Sequence, residues 1–192
     1  METEGFLKSR MRENPTYGSV RGSDIPSRLI NEKGASSCLL DGMKMNHSEL
    51  AEKLFLDGYN CSQAVVLAFE DVTGLPRKQA LMLSSSFGGG MGRLREVCGA
   101  VSGAFMVLGL LYGYTEPEDQ AGKRQHYARI QHLAAKFREL HGSIVCRELL
   151  KKPDTAPTPS PRTERYYHER PCQIMVRHAA MLVDQYIQEH PL

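Results

Sequence analysis

The sequence predicts an all-α fold: a single bundle-like helical domain of about six or seven helices over roughly residues 46–190, preceded by a disordered tail at residues 1–45. Three observations lead there. Apolar residues recur at 3.6-residue spacing from Ser48 onward, giving each segment a one-sided stripe. The segments are joined by mostly short connections marked with Gly and Pro. Nothing reads as the strand–helix alternation of a parallel sheet. A chain of 192 residues is long enough for one domain with its own core.

The elements follow in order. Residues 1–45 lack sustained periodicity and are rich in Gly, Ser, Arg and Glu, which is tail composition; MKMNHSEL from Met43 reads as a natural beginning. Leu50, Leu54 and Phe55 mark a first helix that breaks at Gly58. Asn60 is a good N-cap for a second helix, CSQAVVLAFEDV, with Gly74 as its stop. Pro76 fits the first turn of a third helix, RKQALMLSSSF, which runs into FGGGMG. An apolar helix is expected from about Glu96 to Tyr112. Pro117 opens a long amphipathic helix with Tyr127, Ile130, Leu133, Ala134 and Phe137 on its apolar side, ending at His141-Gly142. A shorter helix, SIVCRELLKK, comes next. The stretch from Pro153 to Thr163 carries four prolines and reads as a loop. The last helix covers about Pro171 to Glu189, with Ile174, Ala179, Leu182, Val183 and Tyr186 buried.

Composition narrows the function classes. The formal charge is only +2, so no strong attraction to nucleic acid or an anionic membrane is expected. Nine Met and no Trp suit an adaptable aliphatic core. The charged N-terminus does not resemble a secretory signal. The uncharged run from Val97 to Gly113 is 17 residues long and holds Gly99, Ser102, Gly103, Gly109 and Gly113. It reads as a buried core helix and not a membrane span. These features point to a cytoplasmic protein whose five cysteines are not a disulfide framework.

The chemistry is expected at Cys61, Cys98, Cys146 and Cys172, with Cys38 set apart in the tail. They are separated by 37, 48 and 26 positions, and no pair forms Cys-x-x-Cys. That spacing argues against a zinc ribbon, a thioredoxin motif, covalent haem attachment and the local ferredoxin run. Each of the four falls near the start of an expected helix, where the dipole and free N–H groups favour a thiolate and lower its pKa. Small residues at Gly99, Gly103 and Ala104 allow a backbone or cofactor to approach Cys98. The glycine run at Gly88–Gly92 lacks the Gly-Lys-Ser/Thr ending of a phosphate loop and reads as a turn delivering Cys98 to its partners. Arg93 and Arg95 are by default solvated. His141 and His168 precede Cys146 and Cys172 by five and four residues; Pro171 argues against His168 and Cys172 sharing a helix face, and both histidines read as surface or capping groups.

GYNCSQAVVLAF (Gly58–Phe69), FGGGMG (Phe87–Gly92), CGAVSGAFMVLGLLYG (Cys98–Gly113), HGSIVCREL (His141–Leu149) and the final Cys172 closely resemble the redox-active proteins named for a C…CGAxxG…C…C cysteine pattern. The resemblance runs in order over about residues 46–188. It implies that Cys61, Cys98, Cys146 and Cys172 form a redox or metal site, and that the partner is an oxidoreductase or another electron-transfer protein, since members tend to be encoded beside oxidoreductase or transporter genes. The pattern is similar to a helical region of split-Soret cytochromes c, where cysteines accompany an iron–sulfur centre. With no Cys-x-x-Cys-His here, the covalent haem does not carry over.

Three readings stay open at this level. Four thiolates could hold an iron–sulfur cluster, most simply [2Fe–2S], and transfer electrons; zinc is a less favoured occupant because structural zinc sites usually draw on close Cys pairs. Two of them could instead cycle between dithiol and disulfide for a partner enzyme. The cysteines could also be structural, in a helical interaction subunit. Small-residue helix faces allow a homodimer.

Overall fold

The computed structural model describes residues 46–150 and 154–192. The expected tail, with Cys38, and the segment 151–153 lie outside the described residues. Within them the chain forms ten helices: α1 His47–Leu56, α2 Cys61–Ala68, α3 Glu70–Thr73, α4 Arg77–Ser85, α5 Gly88–Met91, α6 Gly99–Tyr112, α7 Gln120–His141, α8 Cys146–Leu149, α9 Glu164–Glu169 and α10 Cys172–Glu189. The all-α expectation is met. Six of them have eight residues or more, and these are the bundle.

The start and stop signals act as their chemistry requires. The Asn46 side chain caps α1 through the Glu49 N–H. Asn60 forms a full capping box with Gln63: its side chain accepts from Ser62 and Gln63 N–H, and Gln63 Oε1 accepts from Asn60 N–H. Gly74 and Gly142 take left-handed backbone after α3 and α7. The expected second helix, however, is interrupted. At Phe69 the backbone leaves helical geometry (φ −106°, ψ 22°) while the ring is fully buried, so packing overrides continuation and splits α2 from α3.

α2 and α6 form the centre. All six residues from Ala64 to Phe69 are buried, so α2 is enclosed on every side and not striped on one, and Ser62 is buried at its start. α6 buries Gly99 to Ala104, Val107 and Leu108. The two approach so closely that a Cβ on Gly103 would lie 2.9 Å from the Ser62 carbonyl oxygen and 3.0 Å from Val65 Cβ. Around this pair sit α1, α4, α7 and α10, contributing Phe55, Phe137, Val176 and Val183 to the core. Each such side chain contributes about 1.5–3 kcal/mol by leaving water. No described helix is long and apolar enough to cross a membrane.

Two expected core residues are exposed instead. Tyr127 is 55% and Ile174 49% accessible. Tyr127 pairs with Tyr114 on the surface, and Met175 and Val176 take the core positions that spacing assigned to Ile174.

His47 ties the outer helices together. Its ring stacks on Phe69 at 4.3 Å between centroids, and its nitrogens meet Asp184 of α10 and Asp71 of α3. The Asp184 hydrogen bond, more than any other contact, raises the imidazole pKa above its ordinary 6.5, against the opposing effect of burial.

Two outcomes are expected. Gly103→Ala should lower stability by about 1–3 kcal/mol in denaturant melts, because the methyl group meets backbone that cannot step aside. His47→Gln should be less stable than the parent by about 1 kcal/mol at acidic pH, a gap discounted for partial solvent screening. Since the folded-state pKa is raised, the stabilisation is complete below about pH 6.5 and disappears as pH rises through the folded value. Urea melts of both proteins from about pH 5.5 to 9 should therefore converge at the alkaline end; a gap that widens there would contradict this account.

Candidate functional site

The four cysteines of the domain, each carried by a different segment, line one cavity of about 190 Å³. Each sits where the sequence placed it, at a helix start: Cys61, Cys146 and Cys172 open α2, α8 and α10, and Cys98 is the residue before α6. All four are free thiols.

Local structure explains the convergence. The Asn60 capping box fixes the first turn of α2 and so the position of Cys61; Asn60 Nδ2 also donates to the Ser85 carbonyl at 3.1 Å, tying that turn to the end of α4. Cys61 meets Cys98 because the next residue is Gly99, where a Cβ would fall 2.8 Å from the Phe87 carbonyl oxygen and 3.3 Å from Cys61 Sγ. Cys98 meets Cys146 through a short antiparallel pairing. Cys98 N–H donates to Ile144 at 2.8 Å, Cys146 N–H to Glu96 at 2.6 Å and Arg147 N–H to Arg95 at 3.0 Å, around a bridge between Val97 and Val145. That pairing is why SIVCRELLKK is not one helix: its first residues are held extended, and α8 is a single turn. The glycine run backs the site. Gly90 lies so close that its Cβ would be 2.6 Å from Cys146 Cβ, so this segment is a packed wall and not a phosphate loop.

Cys61 is the hub. Among the thiols it is the strongest electrostatic neighbour of Cys98, of Cys146 and of Cys172. The expectation that helix starts would lower these pKa values is overturned for three of the four. Burial pushes Cys98 well up, with repulsion from Cys61 adding to it and the Ala100 N–H opposing. Burial also raises Cys146, against Arg95. Cys172 is pushed up to about 12, first by burial and then by Cys61. Desolvation of a thiolate outweighs the pull of one helix end.

Histidine plays no part here. His141 packs on Phe137 and faces His178 at 3.2 Å, His168 lies in the last turn of α9, and neither lines the cavity. The break between α9 and α10 confirms that His168 and Cys172 belong to separate helices. Arginine was the underestimated component. Arg93, Arg95, Arg162 and Arg170 all line the cavity. Arg95 is only 2% exposed, with Nη1 4.0 Å from Cys146 Sγ. Arg93 and Arg95 anchor the proline-rich segment: Arg93 pairs with the Asp154 carboxylate at 2.6 Å and Arg95 Nε donates to the Asp154 carbonyl at 2.7 Å. α9, which the sequence reading passed over, brings Tyr166 to the same cavity.

A family model described as "Putative redox-active protein (C_GCAxxG_C_C)" matches residues 59–186. The chain belongs to this family. The family match spans α2 to most of α10 and includes all four cavity cysteines. The family's label writes Gly-Cys-Ala-x-x-Gly, where this chain reads Cys98-Gly99-Ala100-Val101-Ser102-Gly103; here the glycine must follow the cysteine, because position 99 is the one that abuts Cys61. No curated protein and no solved structure is matched.

Reactivity tests the electrostatics. In reduced, metal-free protein the thiolate fraction of a group near 12 is about a thousandfold below that of an ordinary thiol at 9.0, and higher intrinsic nucleophilicity recovers about half of that logarithm. Cys172 should therefore be alkylated by iodoacetamide at least about tenfold more slowly than free cysteine near neutral pH, with a rate still rising well above pH 9. Peptide mass mapping over time reads it directly.

Proposed function

We propose that Cys61, Cys98, Cys146 and Cys172 form a single redox centre that holds an iron–sulfur cluster, most simply [2Fe–2S], and exchanges electrons with an oxidoreductase or other electron-transfer partner. The observation that carries this reading is the meeting of four thiols from four distant segments in one cavity that, among the described residues, no Asp, Glu or His lines. The donor set fits a cluster of this kind, which takes four thiolates. Among the described residues no group of three or more His, Cys, Asp or Glu is disposed to hold a metal ion. A lone zinc ion needs four sulfurs about 3.8 Å from one another, given tetrahedral bonds of about 2.3 Å. Structural zinc sites usually draw on close Cys pairs, and Cys61, Cys98, Cys146 and Cys172 include none, which favours the cluster over zinc.

When bound, the cluster would supply one-electron transfer. The protein's part is to surround it with low-dielectric walls, from Ala100 and Met175 for example, and with the Arg95 guanidinium, which offsets thiolate charge. Ligation would require the raised thiols to release their protons, so loading should be favoured by alkaline pH.

Four free thiols lining one cavity also support a second reading. In it two of the thiols pass two electrons and two protons to a partner oxidant and become a disulfide, which a reductant later restores.

Anaerobic reconstitution with iron and sulfide separates the two. The first reading expects about two irons and two sulfides per chain and visible absorbance, both lost in Cys61→Ser and in Cys98→Ser. Colourless, iron-free protein would remove it. Mass mapping after mild oxidation would then show a discrete Cys–Cys link for the second reading, and no link would remove that too.

A further inference from the structure

The cavity has a second chemical character besides its thiols. Four guanidinium groups line it, and among the described residues no Asp, Glu or His does. The Asp154 carboxylate answers Arg93, but among the described residues no carboxylate forms an ion pair with Arg95, Arg162 or Arg170. Arg95 is the informative one. Its Nε and Nη1 donate to the carbonyls of Asp154 and Gly89, at 2.7 and 3.3 Å, while Nη2 is buried with no partner among the described residues. A guanidinium stays charged in any protein environment, and a buried donor left unpaired is destabilising, more so when charged. An acceptor carrying negative charge is what relieves that.

The other two are held ready. Arg162 and Arg170 sit over the Tyr166 ring, 4.8 and 4.6 Å from its centroid, and Arg170 Nη2 reaches Ser160 Oγ at 3.3 Å. Stacking fixes the planes of these groups, which lowers the entropy lost when they grip a ligand. Arg162 is exposed and Arg95 buried, so positive charge runs from the surface to the cavity floor.

We propose that this cavity binds a small tetrahedral oxyanion of the phosphate or sulfate type, free or as the end of a small molecule. Arg95 is its principal donor on the floor, beside Cys146, and Arg162 and Arg170 complete the grip. The inference rests on the cavity being the working site and not on what the thiols hold.

The test uses the reduced full-length protein, with iron and sulfide measured on the same sample. It is titrated with sodium phosphate, sodium sulfate or glycerol 3-phosphate, ionic strength being held constant with chloride, and followed by calorimetry and by Tm. Saturable binding is expected, weakened about tenfold in Arg170→Gln and in Arg162→Gln, more in Arg95→Gln, and unchanged in Arg124→Gln, an exposed position on α7. Arg95→Gln removes a buried anchor and can weaken the fold, so the two less buried variants decide the matter. Preference for glycerol 3-phosphate over inorganic phosphate would identify the anion as the end of a larger molecule; equal binding would identify the free oxyanion. Both support the proposal. A response no greater than that to chloride, or full affinity in both Arg162→Gln and Arg170→Gln, overturns it. Anion binding by protein that stays iron-free after anaerobic reconstitution would uphold this inference while the cluster reading fails, and iron loading without anion binding would do the reverse.

Discussion

The contact on which the rest of the structure depends is the side-chain-free approach of α6 to α2. Gly103 rests on the Ser62 carbonyl and Gly99 on the Phe87 carbonyl and Cys61, two positions four residues apart and so one above the other on a helix face. With any side chain at either place the helices would separate, and the core residues Val65, Val66, Val101 and Val107 would lose the interdigitation that contributes most of the stability. The same approach sets the chemistry. Cys98 is one residue before Gly99 and Cys61 opens α2, so the distance that packs the core also brings two of the four thiols together. Fold and site share a constraint, and a change at Gly99 cannot alter one without the other.

Once the thiols have been gathered, their charge state is decided by competition. Burial and mutual repulsion hold Cys98 and Cys172 protonated, and Cys146 feels the same burial with Arg95 opposing it. A set of buried thiols that resists ionisation is poor as a free nucleophile, because the thiolate is the reactive form. It is well suited to a centre that ionises only when something positive arrives to share it, since metal binding displaces the protons. The helix starts still matter in placing the sulfurs, although desolvation overrules them in setting pKa.

Much of this was legible in the chain. Asn60, Gly74 and Gly142 mark helix ends through local chemistry, and those boundaries hold. The helix-start positions of the four cysteines also hold, because they follow from the same signals. What sequence periodicity could not supply was long-range. The pairing of 95–98 with 144–147 joins segments about fifty residues apart, and no local pattern announces it. Ile174 and Tyr127 match an apolar stripe, but which flank of a helix faces the core depends on its neighbours. Arg95 is the clearest case: a lone arginine in a glycine-rich turn reads as solvated, and only the return of Asp154 over it makes it a buried wall of the site.

That turn explains how a charged residue is driven inward. Met91, Arg93 and Arg95 all take left-handed backbone, as do Gly89 and Gly90 before them and Gly92 among them. A non-glycine residue in that region costs on the order of 1 kcal/mol or more, and three in five positions do not persist unless the surroundings hold them. Each hold is visible. Met91 is fixed by main-chain bonds with Phe87 and Leu94, Arg95 by one from Arg147, and Arg93 by Asp154 and Ser160. Five consecutive left-handed residues, 89 to 93, reverse the chain tightly enough that Gly90 packs on Cys146 and Arg95, five residues on, reaches the same cysteine. The left-handed non-glycine residues are thus confined to the segment that forms the wall, and the helices that start at Cys61 and just after Cys98 contain none. Contacts from Arg93 and Arg95 to Asp154 and Ser160 offset the strain at the place where it arises.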